Sequence, residues 1–362
     1  MKKTVQTGTL TLDVKRNDTG MEEQELFDIA ARANPKRGFL IVSKLIGRHI
    51  PTRPAVMREA MHRLAERIDH DLPGPVVFLG MAETAVGLGQ GVHAAWRSIT
   101  GRKDAWFIQS TRQTSDDMEV WATFEEGHSH ASSHLIHVPD ELEVFRSARS
   151  LVVVDDECST GTTFIKVEEA MRAVMPQLQR VVDVVITEWA QTEGRQRISL
   201  VSGTLGWEPN GELGVVPGDN ANSHGITVSG DAPGRTGYDV PPNLTLARVP
   251  RIAQGERVTV IADGENAYDA LRIAELLERN GAIAAVQSIT RSPAHVGGAM
   301  NSRTILCDAH GSGATCYSYN LEMHEPNRYV VVTERPGCQG KEVASGTGHP
   351  ESHVHVVEMK KR

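Results

Sequence analysis

The residues best suited to chemistry are Asp155 and Asp156, followed at once by Ser159, Thr160, Gly161, Thr162 and Thr163. Hydroxyl side chains around a glycine offer O–H donors and closely approachable N–H groups, a combination suited to phosphate. Two carboxylates beside a phosphate would repel it, so they must serve something else. Sugar hydroxyls and a magnesium-bearing pyrophosphate are their natural partners. The residues that must position this cluster are equally plain. Leu151 to Val154 are four apolar residues, three of them valine, which predicts a buried parallel strand. Phe164 to Met175 has helical periodicity. In an open α/β sheet the crevice beyond the strand ends takes ligands, and a helix N-terminus attracts phosphate. The plainer alternative is an ordinary strand–turn–helix with a capping Ser or Thr.

The same rhythm runs along the chain. Thr4 to Val14 alternates like a strand or hairpin, Glu22 to Ala33 reads as a helix, and Gly38 to Ser43 as a strand. Ala55 to Ile68 and Val86 to Trp96 read as helices. Pro75 to Leu79, Ala105 to Gln109 and Val181 to Thr187 read as strands. This predicts an α/β fold: a parallel sheet with helices on both faces. From 216 to 243 the chain turns rich in Gly, Asn, Asp, Ser and Pro, which reads as a linker or long loop. Strands at Val258 to Ala262, Ala284 to Gln287 and Tyr329 to Val332, with a helix at Ala267 to Asn280, then predict a second, smaller α/β domain. The expected division is 1–225 and 226–362. Motifs of the first half are faintly echoed in the second. Gly80-Met81-Ala82-Glu83, Gln109-Ser110-Thr111-Arg112 and Val152-Val153-Val154-Asp155 answer to Asp263-Gly264-Glu265-Asn266, Gln287-Ser288-Ile289-Thr290-Arg291 and Val330-Val331-Val332-Thr333. Either the second domain is a degenerate copy, or two α/β units are alike by chance.

The chain has 362 residues with 40% hydrophobic and 23% charged content, enough for real cores. Its net charge of −8 disfavours a dedicated nucleic-acid binder, though a local basic pocket for a small polyanion is allowed. No stretch approaches a membrane span, and Met1 to Leu10 lacks an apolar signal core. Cys158, Cys307, Cys316 and Cys338 form no C-x-x-C pair, so their spacing suggests neither a zinc site nor a disulfide framework. Cys158 inside the presumed active loop points to a reducing, cytoplasmic setting.

The strand, two acids, three variable residues and Thr160-Gly161-x-Thr163 resemble the phosphoribosyl pyrophosphate (PRPP) loop of type I phosphoribosyltransferases. The resemblance implies that Asp155 and Asp156 hold the ribose hydroxyls, with Mg2+ direct or indirect, and that Ser159 to Thr163 cradle the 5′-phosphate. Purine-using members often carry an Asp where Ser159 stands, which weakens a purine assignment. Gly80, Met81, Ala82, Glu83 and Thr84 occupy the place of the family's pyrophosphate loop. Lys44, Arg48 or Arg112 could supply positive charge, and the stretch after Arg112 takes the place of the mobile catalytic loop. Within it, His128 and His130 could supply charge or proton transfer, offer two ligands to a metal, or be plain exposed residues. Trp189 and Trp207 could stack on a planar substrate or belong to the core.

Gly47 to Pro51, Thr111-Arg112 and Glu125 to His130 resemble motifs of an orotate phosphoribosyltransferase-like family, and Thr290-Arg291-Ser292-Pro293 its C-terminal TRSP domain. The resemblance implies tellurite-resistance and stress-response gene clusters and a nucleoside-like product. It implies PRPP, pyrophosphate and a small planar acceptor as partners, with homodimers common among relatives. A non-catalytic PRPP or nucleotide sensor is the alternative. In the second domain, Asp263, Glu265, Asn266, Thr290, Arg291 and Ser292 suggest a separate anion-preferring pocket, or simply a salt bridge from Arg291 to one of those acids.

Overall fold

The computed structural model describes residues 1–34, 37–125, 133–190, 194–212, 232–244, 249–308, 310 and 314–359. The larger sheet contains β1 (Lys2–Val5), β2 (Gly8–Asn17), β5 (Val76–Gly80), β6 (Ala105–Gln109), β9 (Ser150–Cys158), β10 (Arg180–Glu188) and β11 (Arg197–Pro209). Their spatial order is β1-β2-β11-β10-β9-β5-β6. The five strands from β11 to β6 run parallel, and β2 closes the far side antiparallel. The strands at the centre are apolar on both faces because both are covered: Leu151 to Val154 and Val76 to Leu79 are all fully buried. After β5 the chain passes through α3 (Val86–Thr100) to β6 on one side, then crosses to β9 on the other. The crevice between the C-terminal ends of β5 and β9 is therefore the switch point of the sheet, where an open α/β fold takes its ligand.

A second, fully parallel sheet has the order β13-β12-β16-β17, built from β12 (Arg257–Ala262), β13 (Ile283–Ser288), β16 (Arg328–Thr333) and β17 (Val354–Glu358). Its wiring repeats that of the first. There β5, α3, β6, the hairpin β7 (Val120–Glu125) and β8 (Ser133–His137), β9, α5 (Thr162–Val174) and β10 follow one another. Here the sequence is β12, α7 (Ala267–Arg279), β13, the hairpin β14 (Arg303–Cys307) and β15 (Thr315–Tyr319), β16, α8 (Gln339–Thr347) and β17. Spatial orders β6-β5-β9-β10 and β13-β12-β16-β17 coincide.

Several elements differ from expectation. Only α1 (Glu23–Leu26) of the stretch 22–33 is helical; Phe27 onward is β3 (Phe27–Ala31), paired antiparallel with β4 (Phe39–Ser43). Alternating Phe27 and Ile29 satisfy a strand once β4 offers a partner, so tertiary pairing overrides the helical reading. The stretch 216–243 is no simple linker where it is described. Tyr238 pairs with Phe107 at the edge of β6, and Arg235 in α6 (Pro233–Thr236) is fully buried. The expected boundary at 225/226 lies outside the described residues. Cys338 is disulfide-bonded, a pairing that chain spacing could not reveal, while Cys158 and Cys316 are free and buried. Among the described residues no helix is long and apolar enough to cross a membrane.

Candidate functional site

Strand β9 extends past its apolar centre to carry Asp155 and Asp156 to the sheet edge, where both are half-buried. Neighbouring residues of a strand face opposite sides, so the two carboxylates do not form one flat pair. The Asp156 amide donates to Asp155 Oδ1 at 3.0 Å. The turn that follows is set by Gly161, whose φ of 81° is left-handed and whose position caps α5. Among the described residues no protein acceptor meets the amides of Gly161, Thr163 or Phe164, and that of Thr162 reaches only Thr160 Oγ1, at 3.4 Å. Thr160 Oγ1 itself donates to Thr162 Oγ1 at 3.2 Å, and Ser159 stands half-buried at the strand's end. The result is a helix N-terminus with donors to spare, beside two acids.

Across the switch point lies the loop after β5. Gly80 ends the strand, and Met81 and Ala82 use their amides on protein: Met81 N donates to Val154 O and Ala82 N to Ser110 Oγ, both at 3.0 Å. Among the described residues the amides of Glu83 and Thr84 have no such acceptor. The Glu83 side chain lies between two arginines. Arg48 Nη2 donates to Oε2 at 2.7 Å, and Arg291 donates to Oε1 through Nε at 2.8 Å and also through Nη2. Arg291, Arg48 and the nearby charge of Arg112 outweigh burial and hold the Glu83 carboxyl down at about 2. Glu83 is thus ionised at neutral pH, bonded to two guanidinium groups with a third in electrostatic reach.

Arg48 is buried, and its Nε and Nη1 have no partner. Neighbouring His49 Nε2, and Ser292 Oγ one residue beyond Arg291, are also buried without a partner. Burial, with Arg48 and Arg32 nearby, lowers the His49 imidazole to about 3, so it is neutral. Unsatisfied buried polar groups are costly, at about 1–3 kcal/mol each, so the spare Arg48 nitrogens beside Glu83 suit a polar ligand.

Lys44 does not join this cluster. Its ammonium donates to Gln24 O of α1 at 2.7 Å, on an exposed surface, and the cations at Glu83 are Arg48 and Arg291. Arg112 follows β6, within electrostatic reach of Glu83. His128 and His130 lie outside the described residues. His134 of the same run is buried; its Nδ1 lies 3.0 Å from Ser110 Oγ, and its ring stacks on Phe124. Ser110 thereby ties β8 to the Glu83 loop, a role no sequence motif announced. Glu157 carries no sequence signal either: its partner Arg37, at 2.6 Å, comes from the segment joining β3 to β4. Trp189 is buried edge-on to Phe27, and Trp207 lies tilted against Phe39, so both are packing residues.

The residues expected to form a second pocket are dispersed among protein partners. Arg291 reaches across to Glu83 instead of Asp263 or Glu265. Its neighbour Thr290 Oγ1 accepts from the Ser292 amide at 3.1 Å. Asp263 Oδ2 accepts from Thr333 Oγ1 and Gln339 Nε2, both at 2.9 Å, and Asn266 Nδ2 donates to Asp263 O at 2.8 Å. Glu265 accepts from Gln109 Nε2 at 2.7 Å, Thr111 Oγ1 at 2.5 Å and Arg235 Nε at 2.8 Å. Arg235 also grips Glu334 with two bonds of 2.8 Å. The protein's own side chains thus take up the polar groups of Asp263 and Glu265, a consequence of interdomain packing that local motifs do not encode. Glu265 and Asn266 nonetheless also line a cavity of about 410 Å³ beside Gln109, Tyr268 and Arg272.

A family model described as phosphoribosyl transferase matches residues 26–210, just over half of the chain. The chain belongs to that phosphoribosyl transferase family. Residues 239–344 match the TRSP domain described as C-terminal to it. An adenine phosphoribosyltransferase from Trypanosoma brucei, solved with AMP, pyrophosphate and ribose-5-phosphate, is 12% identical over 49% of this chain and 77% of its own, with a TM-score of 0.34. Another from Rhodothermus marinus is 13% identical over 41% and 80%, with a TM-score of 0.28. A hypothetical protein from Neisseria gonorrhoeae solved with bound ppGpp is 14% identical over 43% and 84%, at 0.28. No curated protein matches the chain.

Proposed function

We propose that this phosphoribosyl transferase family member moves a ribosyl phosphate between PRPP and a small planar, nucleobase-like acceptor, making or breaking a glycosidic bond. The observation that carries the reading is the two-lipped crevice at the switch point. One lip offers acids and open helix amides for a phosphorylated pentose; the other offers arginines for a polyphosphate. Such a transfer builds positive charge at the anomeric carbon and negative charge on pyrophosphate, and needs no covalent nucleophile. Asp155 and Asp156 orient the sugar, the Gly161–Phe164 amides anchor its phosphate, and Arg48 and Arg112 steady the leaving group. A nucleoside-like product in a stress-linked pathway is the setting suggested by the TRSP arrangement.

Magnesium fits this donor set as a substrate-borne ion. Among the described residues no three His, Cys, Asp or Glu side chains converge on one point. Asp155 and Asp156 would hold it directly or through water, with phosphate oxygens completing the shell. When bound, it would neutralise pyrophosphate charge.

The test is pyrophosphate release from PRPP with magnesium and a panel of nucleobases and related heterocycles. Acceptor-dependent release that is lost in Asp156→Asn supports the reading. Tight PRPP binding with no turnover across the panel favours a sensor instead.

A further inference from the structure

The two units correspond residue by residue at their strand ends. Met81 N donates to Val154 O at 3.0 Å, and Asp263 N to Val332 O at 2.9 Å. Ser110 N donates to Gly80 O at 3.0 Å, and Ile289 N to Ala262 O at 2.8 Å. Thr111 then bridges Leu135 of the first hairpin, as Thr290 bridges Tyr317 of the second. In this register Glu83 answers to Glu265, Arg112 to Arg291, and Asp155-Asp156 to Thr333-Glu334. The equivalent helices α3 and α7 pack on each other, with Gly87 against Ala267.

Contacts also cross the seam between the two units in both directions. Glu83 of the first unit takes Arg291 of the second, while Glu265 of the second takes Thr111 of the first. The arrangement approximates a two-fold contact between like units within one chain, with Thr111 and Arg235 meeting Glu265 where strict symmetry would bring Arg112. The acid pair and the open helix amides belong to the first unit alone among the described residues. In the second, Thr333 replaces one acid, and Arg235 fills the space between Glu265 and Glu334.

We propose that the second domain acts as a built-in partner that completes the first unit's site, and that Arg291 binds the pyrophosphate end of the substrate there. Glu83 holds the guanidinium in place until a stronger polyanion arrives. The unpartnered Nε and Nη1 of Arg48, on the other side of Glu83, point to the same ligand. Two guanidinium groups bonded to Glu83, with Arg112 in electrostatic reach, offer positive charge matched to a polyanion.

This inference rests on the proposed PRPP chemistry, so its test separates the two. The full chain and its Arg291→Gln and Arg291→Lys variants are titrated calorimetrically with magnesium pyrophosphate and, separately, with ribose 5-phosphate. Arg291→Gln is expected to weaken pyrophosphate about tenfold or more, the equivalent of one charge-assisted hydrogen bond, and to leave ribose 5-phosphate unchanged. Arg291→Lys should fall between, since a point charge cannot serve Glu83 and ligand together, and it carries the test if the Gln variant does not fold. Unaltered pyrophosphate affinity, or equal loss of both ligands, overturns the role of Arg291 while leaving the proposed function standing. Absence of binding of either ligand to the unsubstituted protein refutes that function, and this inference with it.

Discussion

Replacing Arg235 by Gln should weaken the whole molecule through the seam. Its guanidinium is fully buried and serves two carboxylates from the second unit, Glu265 and Glu334, with Nε, Nη1 and Nη2 contacts all at 2.8 Å. Without it Glu265 retains Gln109 and Thr111 as neutral donors, but Glu334, almost as deeply buried, loses its two-pronged partner. Removing one member of a buried ion pair typically costs about 3–5 kcal/mol. For a chain of this size that corresponds to a fall in Tm of roughly 4–7 °C at pH 8, measured by calorimetry or circular dichroism. The pH dependence has a definite sign. Orphaned buried carboxylates bind protons more tightly folded than unfolded, so the deficit should shrink as pH falls from 8 towards 5. A Tm within about 2 °C of the unsubstituted protein, or a deficit that widens on acidification, would refute the reasoning.

Asp263 offers an independent check. Burial raises its carboxyl to about 6, despite hydrogen bonds from Thr333 and Gln339. A raised folded value means its favourable contribution is present below the unfolded value near 3.8 and is lost as pH climbs through about 6. Asp263→Asn should therefore add about 3 kcal/mol at pH 8 and little at pH 4 in denaturant titrations; a uniform effect at both would contradict this. At the phosphate turn, Gly161→Ala forces a Cβ into left-handed backbone at about 1–2 kcal/mol. It should lower Tm modestly and weaken ribose 5-phosphate about tenfold in titration; unchanged binding would remove Gly161 from the cradle.

The first unit's core was legible because buried parallel strands are plain apolar runs, and Leu151 to Val154 or Val76 to Leu79 could hardly be anything else. The acid pair and Thr-Gly-x-Thr turn were legible because their chemistry is local, lying within nine residues of one strand and its turn. The contacts of Glu83 were not. Its partners stand 35 and 208 residues away, and nothing near Arg291 says which acid it will meet. Arg235 was hidden for a related reason: it lies in a Gly- and Pro-rich stretch with no periodicity, and becomes buried only when two units close on it. Lys44 and Arg48 are four residues apart and chemically similar, and only the course of the loop after β4 decides which reaches the site. The echo between the halves was faint in sequence because side chains diverged. The wiring and the matching Thr111–Leu135 and Thr290–Tyr317 bridges make it plain in three dimensions.

Calorimetric titration of the full chain with ribose 5-phosphate, beside the Asp155→Asn/Asp156→Asn double variant, addresses the central claim most directly. Saturable one-to-one binding that weakens at least tenfold in the variant is the result expected of a crevice holding a phosphorylated pentose. Equal affinity in both proteins, or no heat from either, would contradict it.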